Sequence, residues 1–129
     1  MRKSFREDYP IVFNKKWSRD IISLESKDTF ILDYYVGRIQ LIKFTYNKRY
    51  RASIILVRFD SHGLHTNPDN KQFDGPHVHI YKEGFDDKFA FPVSEIGVDE
   101  NAIGKEEVLK TFLNYCNVKD CSKISLSLI

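Results

Sequence analysis

The chain is poor in the features that most readily assign a function. None of its apolar runs approaches the roughly 20 residues that a membrane-spanning helix requires, so no span is expected. The basic opening Met1-Arg2-Lys3-Ser4-Phe5-Arg6 is not followed by an apolar core and a small-residue cleavage site, and a signal peptide is not expected. Internal repeats and low-complexity tracts are missing, as are a Walker-type phosphate loop, a Gly-x-Gly-x-x-Gly turn and a Gly-x-Ser-x-Gly elbow. Nucleotide-dependent and serine-hydrolase chemistry therefore have no support. Cysteine is limited to Cys116 and Cys121. A cytoplasmic location is expected, and in that reducing setting both should be free thiols. What is present, 42% hydrophobic and 14% aromatic residues over 129 positions, suits one folded domain spanning residues 1–129.

The formal net charge is only +2, but it is unevenly spread. Residues 1–58 hold 13 Lys and Arg against 6 Asp and Glu, and residues 59–129 hold 7 against 12. Such asymmetry can mark a surface for a polyanion. The cluster Lys43, Lys48, Arg49, Arg51 and Arg58, interleaved with Phe44, Tyr46 and Tyr50, is the candidate nucleic-acid-binding surface. Solvated strand ends and turns produce the same pattern without binding anything.

Period and punctuation predict the elements. Trp17, Ile21 and Leu24, with Ile22 beside them, recur at helical spacing and predict a short helix over residues 15–25. Residues 29–36, rich in β-branched and aromatic side chains and stopped by Gly37, predict a strand. A second strand is predicted over 38–46, with Asn47-Lys48-Arg49 as its turn, and a central strand, apolar on both faces, over 52–60. A long polar loop over 61–75 follows, of a length that is uncommon unless functional. Strands are then predicted over 76–81 and 88–93, the latter at an edge because of Pro92. Val108, Phe112, Leu113 and Cys116 form a helical stripe over 105–117, and residues 122–129 a weak terminal strand. The predicted class is α+β: an antiparallel sheet of about five strands with an N-terminal and a C-terminal helix packed on it.

All four histidines fall between His62 and His79. In the run Gly75-Pro76-His77-Val78-His79-Ile80-Tyr81, strand alternation puts His77, His79 and Tyr81 on one face and turns Val78 and Ile80 to the core. Two imidazoles about 6.6 Å apart along a strand could hold a metal ion or straddle a phosphate. In Asn67-Pro68-Asp69, the proline fixes a turn and the flanking side chains can bond nearby amides, stiffening the loop that presents His65.

Several resemblances rest on these residues. The run Asp33, Gly37-Arg38-Ile39, Lys43, Thr45-Tyr46, Arg49, Arg58-Phe59-Asp60, His65-Thr66-Asn67-Pro68-Asp69, the stretch from Pro76-His77-Val78-His79-Ile80-Tyr81 to Phe85, Asp87-Lys88 and Phe112 to Asn117 resembles an uncharacterised bacterial and prophage family of unknown function. That resemblance implies a small intracellular protein of bacteria or their mobile elements. Arg58, Asp60, His65, Pro76, His77 and His79 are also similar in order to TumE-type toxins of toxin–antitoxin pairs, which are proposed to act on RNA. The alternating histidines after a proline resemble the histidine-triad nucleotide hydrolases too, but Tyr81 stands where those have a third histidine.

Metal-free RNA cleavage needs one group to take the 2′-hydroxyl proton and another to protonate the leaving oxygen, and histidine suits both. On this reading His77 and His79 are the acid–base pair and His65 a loop-borne partner, while Arg58 stabilises charge on phosphorus and Tyr81 orients the phosphate. No cofactor is expected. Two alternatives stay open. His77 and His79 can be structural, fixing the long loop. Together with His62, His65, Asp60, Asp69 or Asp74 they can also ligate zinc or a similar ion, although no compact zinc spacing is present. The function expected first is a ribonuclease-like toxin, with RNA and an antitoxin-like protein as partners. The alternative is a non-catalytic accessory or anti-defence module that binds a host protein or nucleic acid.

Overall fold

Strict two-residue alternation organises the centre of the molecule. The computed structural model describes residues 3–5, 9–23, 28–37, 43–51, 53–120 and 124–126. In chain order its strands are β1 (Lys3–Phe5), β2 (Tyr9–Ile11), β3 (Trp17–Ser23), β4 (Thr29–Val36), β5 (Phe44–Tyr50), β6 (Ile54–Asp60), β7 (Leu64–Thr66), β8 (Gln72–Asp74), β9 (His77–Ile80) and β10 (Ala90–Phe91), then β11 (Val118–Asp120) and β12 (Ile124–Leu126). A 3₁₀ turn (Val93–Ile96) and the helix α1 (Lys105–Tyr115) lie between β10 and β11. The main sheet has eight strands in the order β10-β9-β6-β5-β4-β3-β1-β11. It is antiparallel apart from the β1–β11 pair. The parallel pair β12–β2 and the antiparallel hairpin β7–β8 stand outside it.

Register gives the sheet two chemically opposite faces. Trp17, Tyr34, Tyr46, Phe59, Val78 and Phe91 are directly paired across six neighbouring strands and form an apolar row. Helix α1 lies on this row, burying Val108, Leu109, Phe112 and Leu113, with the Phe112 ring 5.9 Å from that of Tyr46. Burial of each such large side chain contributes about 1.5–3 kcal/mol. Buried aromatic polar atoms find partners, as they must: Tyr46 Oη donates to the Lys105 carbonyl, Tyr34 Oη to that of Phe13 and Trp17 Nε1 to that of Val12. One residue along, Ser18, Asp33, Asn47, Arg58 and His79 form the matching row, which faces the other way and is polar until it ends at Ala90 on β10.

Four expectations are corrected. Residues 17–23 are a strand, not an N-terminal helix. Trp17 and Ile21 are four apart, a spacing that shares a face in a helix and in a strand alike, so the period does not discriminate. The sheet exceeds five strands because β3 stands where a helix was expected and because β1 and β11 are only three residues long, too short to show alternation. Asn47-Lys48-Arg49 runs inside β5, and the chain turns after it, at Arg51, which takes a φ of 52°. The predicted strand over 88–93 shortens to β10, and Val93 opens the 3₁₀ turn. The C-terminal helix and its apolar stripe are found as expected. Residues 38–42 of the predicted second strand, Leu24, Glu25, Ala52 and Cys121 lie outside the described residues, as do residues 122–123 and 127–129 of the predicted terminal strand, whose centre is β12.

Asp33 anchors the polar row. Its carboxylate is fully buried and accepts two hydrogen bonds from the Arg49 guanidinium, at 2.6 and 3.0 Å, and others from Ser18 Oγ and Asn47 Nδ2. Burial pushes the carboxyl up, but the bonds from Arg49, Ser18 and Asn47 and the charge of Arg49 together outweigh it and hold it below the ordinary 3.8. A carboxylate depressed in the folded state adds stability above its unfolded value and loses it as pH falls through the folded one. Asp33→Asn should therefore cost about 3 kcal/mol at neutral pH. It should also flatten the fall in stability below pH 3.8, as read by denaturant midpoints across pH.

Candidate functional site

The polar face ends in a cluster of histidines around one carboxylate. Asp60 and His77 are directly paired across β6 and β9, and so are Arg58 and His79. Alternation then brings all four side chains to the same face. His77 Nε2 is 3.6 Å and His79 Nε2 is 3.5 Å from Asp60 Oδ2. Arg58 Nε donates to that same oxygen at 3.1 Å, while Thr45 Oγ1 donates to Asp60 Oδ1 at 2.7 Å. Arg58 Nη1 reaches on to Asp87 Oδ2 at 3.2 Å, so the guanidinium lies between two carboxylates.

Backbone carbonyls fix both imidazoles. His77 Nδ1 lies 2.8 Å from the Gly75 carbonyl and His79 Nδ1 lies 2.9 Å from that of Asp87. A carbonyl only accepts, so each Nδ1 carries a proton, and each ring turns its Nε2 toward Asp60. His79 is pushed down from 6.5 to about 4, by burial first and by the charge of Arg58 second. The Asp87 hydrogen bond and the charge of Asp60 act the other way without reversing it. At neutral pH His79 is therefore uncharged, and its approach to Asp60 is not an ion pair.

The stretch expected as a loop over residues 61–75 is a hairpin that roofs this cluster. Gly63 and Gly75 close its base with a backbone bond of 3.0 Å, both at φ near +100°, a conformation that a side chain would strain. His65 on β7 packs its ring 4.5 Å from that of His79, and its Nε2 donates to the Lys88 carbonyl at 2.8 Å. Asn67 does more than the turn-stiffening predicted for it: its Nδ2 donates to the Ala90 carbonyl and its Oδ1 accepts the Ala90 amide. Under this roof His77 is 3% and His79 1% exposed, whereas the Asp60 side chain keeps 17% and that of Arg58 30%. The cluster thus opens on the Asp60–Arg58 side.

The other predicted residues are placed differently. Strand β9 ends at Ile80, and Tyr81 stands half-exposed outside it. It lines a cleft of about 280 Å³ with Ser53, Ile54, Ile55, Asp86 and Asp87. His62 contacts Ser61 at 3.2 Å and is not part of the cluster of titratable groups around Asp60. Of the basic set, Lys43 and Arg51 are exposed, the latter over the Tyr50 ring. Lys48 is buried with its ammonium 4.6 Å from the Phe30 ring centre, and Arg49 is committed to Asp33. The set therefore does not form one continuous exposed surface.

Sequence reasoning missed Asp87, which holds His79 through its carbonyl and Arg58 through its carboxylate, and Thr45, which orients Asp60. The alternation of Arg58 and Asp60 on one strand was a usable signal for Asp60. Nothing local marks Asp87, whose partners lie on two other strands.

Residues 1–118 match the model of DUF6978, a family of unknown function. The chain belongs to that family. No curated protein and no solved structure matches it. Membership extends over β1 to Val118 and so includes the whole cluster, its roof and α1. Among the described residues, no helix is long and apolar enough to cross a membrane.

The Asn67 clamp gives a direct test. Asn67→Ala leaves the buried Ala90 amide unsatisfied, which costs about 1–3 kcal/mol. Amide exchange in β7 and β8 should accelerate more than exchange in β5 and β6. Equal acceleration throughout would mean that the hairpin and the sheet open together.

Proposed function

We propose that the protein is an RNA-directed, ribonuclease-like factor and that its working site is the cluster centred on Asp60. The observation that carries this reading is the meeting of two features at Asp87. Its main chain and carboxylate hold His79 and Arg58, and the same residue lines the cleft that contains Tyr81. A phosphodiester needs a cation beside it, a group that activates oxygen, and a surface for the adjoining base. Arg58, the histidine–aspartate cluster and Tyr81 supply these in turn.

On this reading the histidines take other roles than those first expected. An acid–base pair for RNA cleavage flanks the phosphate, with each imidazole addressing a different oxygen. His77 and His79 instead aim Nε2 at one Asp60 oxygen, and both are covered. They act as a unit behind Asp60, and substrate approaches from the side where Asp60 and Arg58 meet solvent. Exposed Lys43 and Arg51 add charge along the strand for contacts to other phosphates.

Purified protein incubated with total cellular RNA tests the reading. Cleavage should fall at least ~100-fold in Asp60→Asn and His77→Gln, with circular dichroism unchanged. Tyr81→Ala should act mainly on KM, by roughly tenfold, the effect of losing one stacked base. Neutralising Lys43 and Arg51 together should reduce the salt dependence of binding. Absence of cleavage by the unaltered protein would overturn the enzyme reading, and RNA bound but left whole would favour a binding module.

A further inference from the structure

We propose that Asp60, His77 and His79 form a binding site for a transition-metal dication of the zinc or iron(II) class, with Asp60 Oδ2 and the two Nε2 atoms as ligands. Three observations converge on it. The first is distance. At 3.5 and 3.6 Å the imidazole nitrogens are too far from Asp60 Oδ2 for hydrogen bonds, which lie at about 2.7–3.2 Å. They are close to the separation of about 3.3–3.5 Å between two ligands of one tetrahedral ion with bonds near 2.0–2.1 Å. All three ligand atoms lie within 4.8 Å of one another.

The second observation is where the protons are. With each Nδ1 bonded to a carbonyl, the Nε2 atoms, the positions from which an imidazole ligates, both turn toward one carboxylate oxygen. Three ligand-capable atoms thus face one centre, the disposition a cation between them would bridge. Arg58 relieves Asp60 from one side, but its Nη1 is directed to Asp87. Imidazole bonded through Nδ1–H to a carbonyl and offering Nε2 is also the arrangement that metal-ligating histidines adopt, because the outer bond fixes the ring and raises its basicity.

The third is the shape of the site. The ligands come from two adjacent strands held in register, so the site is rigid, and its histidines are closed off by the β7–β8 hairpin. Only the Asp60 side reaches solvent. Three protein ligands with one open direction describe a catalytic ion rather than a structural one, which would be enclosed by four. Two imidazoles disfavour magnesium and calcium, which take oxygen ligands. The sequence carries no zinc spacing because the third ligand is seventeen residues before His77 and reaches it only through strand pairing. The site stands without the RNA reading. Joined to it, the ion supplies the activated oxygen nucleophile that the covered histidines cannot supply themselves.

Full-length, tag-free protein, stripped by chelator and titrated with Zn²⁺ and Co²⁺, tests the proposal. One ion should bind per chain, and Co²⁺ should give the visible absorption of a low-coordinate centre. Asp60→Asn and His77→Gln should each weaken binding by more than the ~10–100-fold expected for loss of an outer-shell partner. His62→Ala and Cys116→Ser should leave it unchanged. Should the site variants misfold, ring-nitrogen NMR of the unaltered protein reads the same point: Zn²⁺ should shift the Nε2 resonances of His77 and His79 and leave their Nδ1 atoms protonated. Unmoved Nε2 resonances, or metal binding indifferent to Asp60 and His77, would overturn the site. RNA cleavage that persists in the stripped protein would overturn the joined mechanism alone. Metal binding with RNA left intact would overturn only the RNA reading.

Discussion

A β-strand has two faces, and here α1 and the segments packed beside it take one of them. The row from Trp17 to Phe91 is claimed by α1 and the aromatic contacts beneath it. The polar row of the central strands must then be satisfied on the other face, without a covering layer of secondary structure as large as α1. Asp33, Asn47, Arg49, Arg58, Asp60, His77 and His79 are consequences of that division. They bond to one another and to carbonyls because burial without partners would cost each of them several kcal/mol.

Two carboxylates divide this face. Asp33 is saturated: Arg49, Ser18 and Asn47 occupy both of its oxygens, and the arrangement is self-sufficient. Asp60 is not. Thr45 and Arg58 hold it in place, yet two imidazoles approach it at a distance at which nothing is shared. The contrast within a single sheet separates a group that stabilises the fold from one that is organised for a further occupant. The β7–β8 hairpin reinforces the difference, since its His65 packs on the His79 ring and leaves Asp60 on the open side.

How much of this was legible in the sequence depends on the range of the interaction. Val78 and Ile80 between His77 and His79 revealed the facing of β9, and the stripe Val108, Phe112, Leu113 and Cys116 revealed α1, because both patterns are local. The β3 strand was hidden by a spacing of four residues that two periods share. Asn47-Lys48-Arg49 looked like a turn because the partner that makes Arg49 a strand residue, Asp33, is sixteen positions away. The histidine cluster is legible in the sequence, but its common neighbour is only one of several acidic candidates there. Choosing Asp60 required the β6–β9 register.

Asn67 has a second consequence. Strand β10 is the outermost of its end of the sheet, and an outermost strand offers its free main-chain groups to any extended chain that meets it. At Ala90 those groups are already engaged: the Asn67 carboxamide, with one donor and one acceptor, bonds to them as the next strand's peptide unit would. A single side chain thus acts as a one-residue selvage. It finishes the weave at the margin nearest the histidines and keeps a ninth strand, from another molecule or from a misfolded neighbour, from being added there.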